Sequence, residues 1–237
     1  MPRVAPPPTP KKRVRDADAS RAAVFAAAAE EFATRGFDGA KVDRIAERAG
    51  VNKAMLYYHY TDKAALYREV VGDMFAATAA ALSALRAQGG TPQQQLMGFV
   101  DVIAREGQAR PHFPGMWLRE LADGGVRLDD RNFSDLSAIV STLAAILQDG
   151  ASAKQLRPMP AFLVQMGIVG PLFLFLATGP MRKLLRSRLP VAPPEIPTDA
   201  FIEYVKTMTI GALSVGADDA ARAPKAKARA GKRAKKR

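Results

Sequence analysis

Three observations predict an all-α protein. Apolar residues recur at helical spacing from Val24 onward, and no stretch of useful length alternates apolar and polar positions. The breaks fall at glycine or proline with capping residues beside them. In the 237-residue chain, 48% hydrophobic residues are ample for a packed core. The expected architecture has about nine helices: an N-terminal three-helix unit with a helix-turn-helix, then a larger helical domain.

The elements follow in order. "MPRVAPPPTPKKRVR", residues 1–15, is proline-rich and poor in apolar residues, so a disordered basic arm is expected. Val24, Phe25, Ala28 and Phe32 then form one stripe of a helix stopped by Gly36. Val42, Ile45, Ala46 and Ala49 form a second stripe, with Gly50 where a helix ends in the left-handed conformation. A third, short helix is expected over 53–60, with Asn52 as its cap. Thr61 and Asp62 offer a cap for a fourth helix over 63–87.

After the break "QGGTPQQQ", Thr91 and Gln94 read as a capping box, with Pro92 at the first position of a helix over 92–109. Short turns over 116–122 and a long helix over 128–148, stopped by Gly150, come next. A strongly apolar helix follows over 161–177. "RKLLRSRLPVAPPEIP" reads as a connection, basic and then proline-rich, before a last helix over 198–215. Residues 217–237 read as a disordered basic tail. The uncharged run 161–181 is long enough to span a bilayer, but Gly167, Gly170, Pro171 and Gly179–Pro180 interrupt it, so a buried bundle or dimer helix is expected instead.

Composition narrows the function classes. The chain has no cysteine and two well-separated histidines, so thiolate and His-pair metal sites are not expected. No phosphate loop or nucleophile elbow is present, and neither an enzyme nor a cofactor is expected. The N-terminus lacks the apolar core of a secretory signal, which makes a cytoplasmic location the default. The net charge of +12 is misleading, because fourteen of the 35 basic residues lie in 1–15 and 221–237. That leaves 21 basic against 23 acidic residues between the tails.

The informative segment is "KVDRIAERAGVNKAMLYYHYTDK". Ala46 is small where two helices cross, Gly50 permits the turn, and Val51 and Leu56 bury the second helix against the first. Counting 100° per residue from Lys53 puts Leu56 and Tyr60 at about 300° and 340°, toward the core, and Ala54 and Tyr58 at about 100° and 140°, outward. Lys53 with Tyr57 forms one flank, and Met55 with His59 the other. Such a face suits a major groove. Ala54 lets the backbone approach base edges, while Lys53, Tyr57, Tyr58 and His59 donate to bases or phosphates. Lys63, at the start of the next helix, can add a phosphate contact.

Residues 20–70 resemble the DNA-binding domain of the tetracycline-repressor (TetR) family, above all in "IAERAGV", "LYYHY" and the lysine of "TDK". The resemblance implies a homodimer that binds a palindromic operator and releases it when a small-molecule effector binds. It places Lys53, Ala54, Tyr57, Tyr58, His59 and Lys63 at the DNA interface, with Lys41 and Val42 nearby. Lys41 departs from the family's frequent Thr or Ser, which caps the second helix as well as touching phosphate. The implied division is a DNA-binding unit over 16–63 and an effector-binding and dimerisation domain over 64–216.

In the larger domain, Phe99, Ile103, Trp117 and Met166 are candidate effector contacts, and the apolar composition favours a hydrophobic or amphipathic effector. His112 and the Arg119–Glu120 pair could orient a polar ligand group or simply close the domain surface. For dimerisation, the helices over 160–178 and 198–215 are expected to form a four-helix interface. The rival reading is a ligandless, nucleoid-type DNA binder that relies on its basic tails.

Overall fold

The computed structural model describes residues 10–191 and 194–215, with side chains from residue 17 onward. Ten α-helices and no named strand are found among the described residues. Residues 1–9 and 216–237 lie outside them, and with them most of the expected arm and all of the tail. Residues 10–15 belong to the first helix, which begins earlier than composition suggested: Pro10 suits a first helical position, and Lys and Arg are good helix formers.

Helix α1 (Pro10–Gly39) is interrupted at Gly36, whose φ of 67° and ψ of 179° break the helical path. Helices α2 (Val42–Arg48) and α3 (Lys53–His59) pack across its inner face. Val24, Ala28, Phe32, Ile45, Leu56 and Tyr60 make a closed core with under 5% exposure each. Gly50, at φ 67°, turns the chain between α2 and α3, and the Val51 amide donates to the Ala46 carbonyl at 3.0 Å.

Helix α4 (Lys63–Gln88) leaves this unit and becomes the central strut of the body. Helices α5 (Pro92–Ala109) and α7 (Asp130–Ser152) pack along it, and α6 (Phe113–Ala122) bridges to α1. Helix α8 (Ala161–Ala177) lies against α6, α7 and α10 (Thr198–Leu213). Among the described residues, α4 alone is long and apolar enough to cross a membrane, and α8 is so only jointly with the helix after it, across a 55° bend. Within the fold, both α4 and α8 are packing helices of the bundle.

The caps are where the sequence put them: Asn52, Asp62 and Thr91 each accept a backbone N–H three residues on, and Gln94 completes the Thr91 box. Two expectations fail. Gly150 does not end α7. It sits inside the helix, and Leu156 lies so close that an added Cβ would meet its side chain at 2.4 Å. The loop after α7 is held by the Gly150 carbonyl and by a single bridge, Leu156 to Ser214, next to the end of α10. The basic connection is also partly helical, since Pro180 starts α9 (Gly179–Arg188) and no breaker intervenes before Pro190. That makes ten helices where about nine were expected.

Candidate nucleic-acid interface and effector cavity

Helix α3 stands on the core through Leu56, fully buried, and is capped by Asn52, whose Oδ1 accepts the Met55 amide at 2.8 Å. The outward face is as the helical wheel implies. Tyr58 is 76% exposed and Tyr57 43%, with Lys53 and Ala54 also exposed. Lys53 pairs with Asp43 of α2 at 2.9 Å, and that hydrogen bond raises its pKa above the usual lysine value. His59 is half-buried, with Nε2 2.8 Å from Ser20 Oγ of α1, so one ring nitrogen already serves the packing of α3 on α1.

Lys41 is exposed at the start of α2 and makes no side-chain cap, while Val42 is half-buried against the core. The polar anchor of this corner is Glu31, 3% exposed on α1. It accepts from the Lys41 amide at 3.2 Å and from Arg44 Nε at 2.7 Å. Burial pushes its carboxyl up, but Arg44, the Lys41 amide and Arg35 outweigh that and hold it below the usual carboxylate value. Lys63 Nζ donates to the Ala40 carbonyl at 2.9 Å and lies 4.6 Å from the centre of the Phe37 ring. Lys63 therefore pins the α1–α2 turn, leaving part of its three-donor capacity for another acceptor.

The body contains a cavity of about 410 Å³ between α4, α5, α6, α7 and α8. Of the four expected contacts, Ile103, Trp117 and Met166 line it. Phe99 does not; it is fully buried on α5 and belongs to the packed core. Phe75 and Phe113 frame Trp117 edge-on and stacked, with ring centres at 5.0 and 6.3 Å. The polar groups expected beside Trp117 are not in the lining: His112 is exposed at the start of α6, and Arg119 donates to the Ala33 carbonyl of α1.

Glu120 has the role that sequence reasoning missed. It is fully buried and accepts from Tyr67 Oη of α4 at 2.8 Å, the Arg127 amide at 3.0 Å and Arg127 Nη1 at 3.3 Å. Burial, reinforced by the bond to Glu120, pushes the Tyr67 hydroxyl pKa well up. Arg127 also reaches Asp38 of α1 at 3.6 Å and lies over the Phe37 ring. A signal was available: Phe113, Met116, Trp117 and Glu120 fall at i, i+3, i+4 and i+7, so the carboxylate occupies the buried stripe of α6.

Helix α6 thus serves two regions. Trp117, Leu118 and Leu121 border the cavity, whereas Arg119 and Glu120 hold α1 and α4.

Residues 24–70, which include all of α2 and α3, match the family model described as bacterial regulatory proteins, tetR family. The chain carries a TetR-family DNA-binding domain. It is 28% identical over 159 residues to the HTH-type transcriptional regulator RutR of Escherichia coli K12, covering 67% of this chain and 74% of that protein. It is also 44% identical over 57 residues to the HTH-type transcriptional repressor SCO4008 of Streptomyces coelicolor, covering 24% and 30%. The fold is shared with the ketosteroid transcriptional regulator KstR2 of Mycobacterium tuberculosis, at a TM-score of 0.63 and 16% identity over 83% of this chain and 95% of that one. These relatives are named transcriptional regulators and repressors, and DNA-binding transcriptional regulation is the function the comparisons support.

Proposed function

We propose that this chain is a TetR-family regulator that binds a palindromic operator as a homodimer, represses from it, and lets go when an effector fills the cavity under α6. The observation that carries this reading is that α6 lines the cavity through Trp117 and also holds the DNA-binding unit, where Arg119 donates to the Ala33 carbonyl. In this reading residues 16–63 form the DNA-binding unit and 64–216 the effector-binding and dimerisation domain. Lys41, Lys53, Ala54, Tyr57 and Tyr58 meet the duplex, and Val42, His59 and Lys63 set their height above it. Ile103, Trp117 and Met166 touch the effector. A soluble cytoplasmic location accords with this role.

The mechanism is a shift between two populations. Paired recognition helices must sit about 34–36 Å apart to enter successive major grooves. An effector that moves α6 changes the seat of Glu120 against Tyr67 and Arg127, and with it the lie of α4 and α1. Release then follows from the effector's differential affinity for the two states. Dimerisation falls to the outer faces of α8 and α10. There Leu163, Leu174, Tyr204 and Met208 are all more than half exposed, and nothing lies within 4 Å of a Cβ built on Gly167, Gly170 or Gly211. Helices of a second copy can approach closely along such a face.

In-vitro selection on random duplex DNA tests the reading. Enrichment of a palindrome with half-sites spaced by the helical repeat supports it. Recovery of no motif, with binding abolished by modest salt, favours the ligandless binder instead.

A further inference from the structure

The cavity's chemistry narrows the effector class, an inference that rests on the cavity being the effector site. No acidic, basic or histidine side chain lines it. An ionised ligand group buried there would have no counter-charge, and its binding would be strongly disfavoured. The lining holds two polar side chains, Thr78 of α4 and Gln165 of α8, 1% and 8% exposed. Thr78 Oγ1 and Gln165 Oε1 are both buried without a hydrogen-bond partner. Buried polar atoms in folded proteins are nearly always paired, so two orphans on one apolar cavity need an explanation.

Thr78 is the more telling of the two. Thr34, Thr142, Thr207 and Thr209 all donate to the carbonyl four residues earlier in their helices. That local bond is the ordinary way for a helical threonine to satisfy itself. Thr78 does not make it, and its hydroxyl remains available to another partner. Gln165 Oε1 can only accept, so its partner must donate; Thr78 Oγ1 can donate or accept. A ligand hydroxyl suits either atom: it can donate to Gln165 Oε1 and can donate to or accept from Thr78 Oγ1. Aromatic walls from Phe75, Phe113 and Trp117 take the rest of the molecule.

We propose that the effector is an uncharged, mainly apolar molecule carrying a hydroxyl, held between Thr78 and Gln165. The cavity size lies within the range of small-molecule sites.

Trp117 is the sole tryptophan and lines the cavity, so its emission reports occupancy in the full chain. Three probes decide the matter: 1-decanol, its methyl ether and decanoate. The alcohol is expected to shift Trp117 emission saturably and to bind about tenfold tighter than the ether, which cannot donate. Decanoate is expected to bind about a hundredfold more weakly than the alcohol. The double variant Thr78→Val with Gln165→Leu should bring the alcohol down to the level of the ether. Retained ether binding shows that the variant is folded, and if it does not fold the wild-type ranking still decides.

Equal affinity for alcohol and ether, tighter binding of decanoate, or an alcohol preference that survives in the folded double variant overturns the hydroxyl assignment and leaves the effector cavity standing. If none of the three probes alters Trp117 emission or the melting temperature, the cavity itself is not an effector site.

Discussion

The DNA-binding unit and the cavity-bearing body are built on opposite plans. In the first, the working side chains point outward from one short helix, and the core behind them serves only to aim them. In the second, the working side chains point inward from five helices, and no single helix contains the site. Removing an outward side chain should therefore cost binding and little stability. Removing an inward polar group that joins the helices of the body should cost stability first.

The largest expected effect is at that junction. Glu120→Ala removes the acceptor for the Tyr67 hydroxyl and the Arg127 amide and leaves both without it, while Arg127 keeps Asp123, at a cost of about 3 kcal/mol. Calorimetry should show the melting temperature fall by roughly 10 °C for a chain of this size. A shift within about 2 °C would mean that α6 and α4 are not held together through this carboxylate. Gly150→Ala is next, at about 1–3 kcal/mol, because the added methyl overlaps Leu156 from its Cβ outward. Denaturant titration would read it, and a neutral result would show that the α7–α8 loop yields freely.

Glu31 gives the pH arm of the comparison. Its carboxyl is held below the ordinary value of 4.5 in the folded chain, so its stabilisation is complete above pH 4.5 and is lost as pH falls through the lowered folded value. Glu31→Gln should flatten the acid side of the stability profile and cost about 1–2 kcal/mol at neutral pH. An unchanged acid profile would place acid sensitivity elsewhere.

Smaller effects sharpen the outward side. Asn52→Ala loses the cap of α3 and about 1 kcal/mol of stability. Tyr58→Ala should stay within about 0.5 kcal/mol of the wild-type stability yet weaken operator binding about tenfold at fixed salt. Anisotropy titrations with the selected operator would measure it. Loss of stability without loss of binding would reverse the assignment of that face.

What the sequence determined by itself is the part governed by short spacings. The breaks at Gly36 and Gly50, the caps at Asn52, Asp62 and Thr91, and the outward turn of Tyr58 all depend on neighbours a few residues away. The period of the helix was enough to place Leu56 and Tyr60 in the core. The helical share of "MRKLLRSR" was hidden by its charge, which read as a connection, although charge and helix are compatible on a solvent-facing segment. Only the tertiary structure decided that Phe99 is core while Ile103, four residues on, borders a cavity. It also decided that Gly150 is a contact rather than a stop, and that Glu120 joins α6 to α4 and the chain beyond α6. The physical reason is range. Caps and helix faces are settled within one or two turns of chain, but a void and a buried carboxylate are defined by what distant helices bring against them.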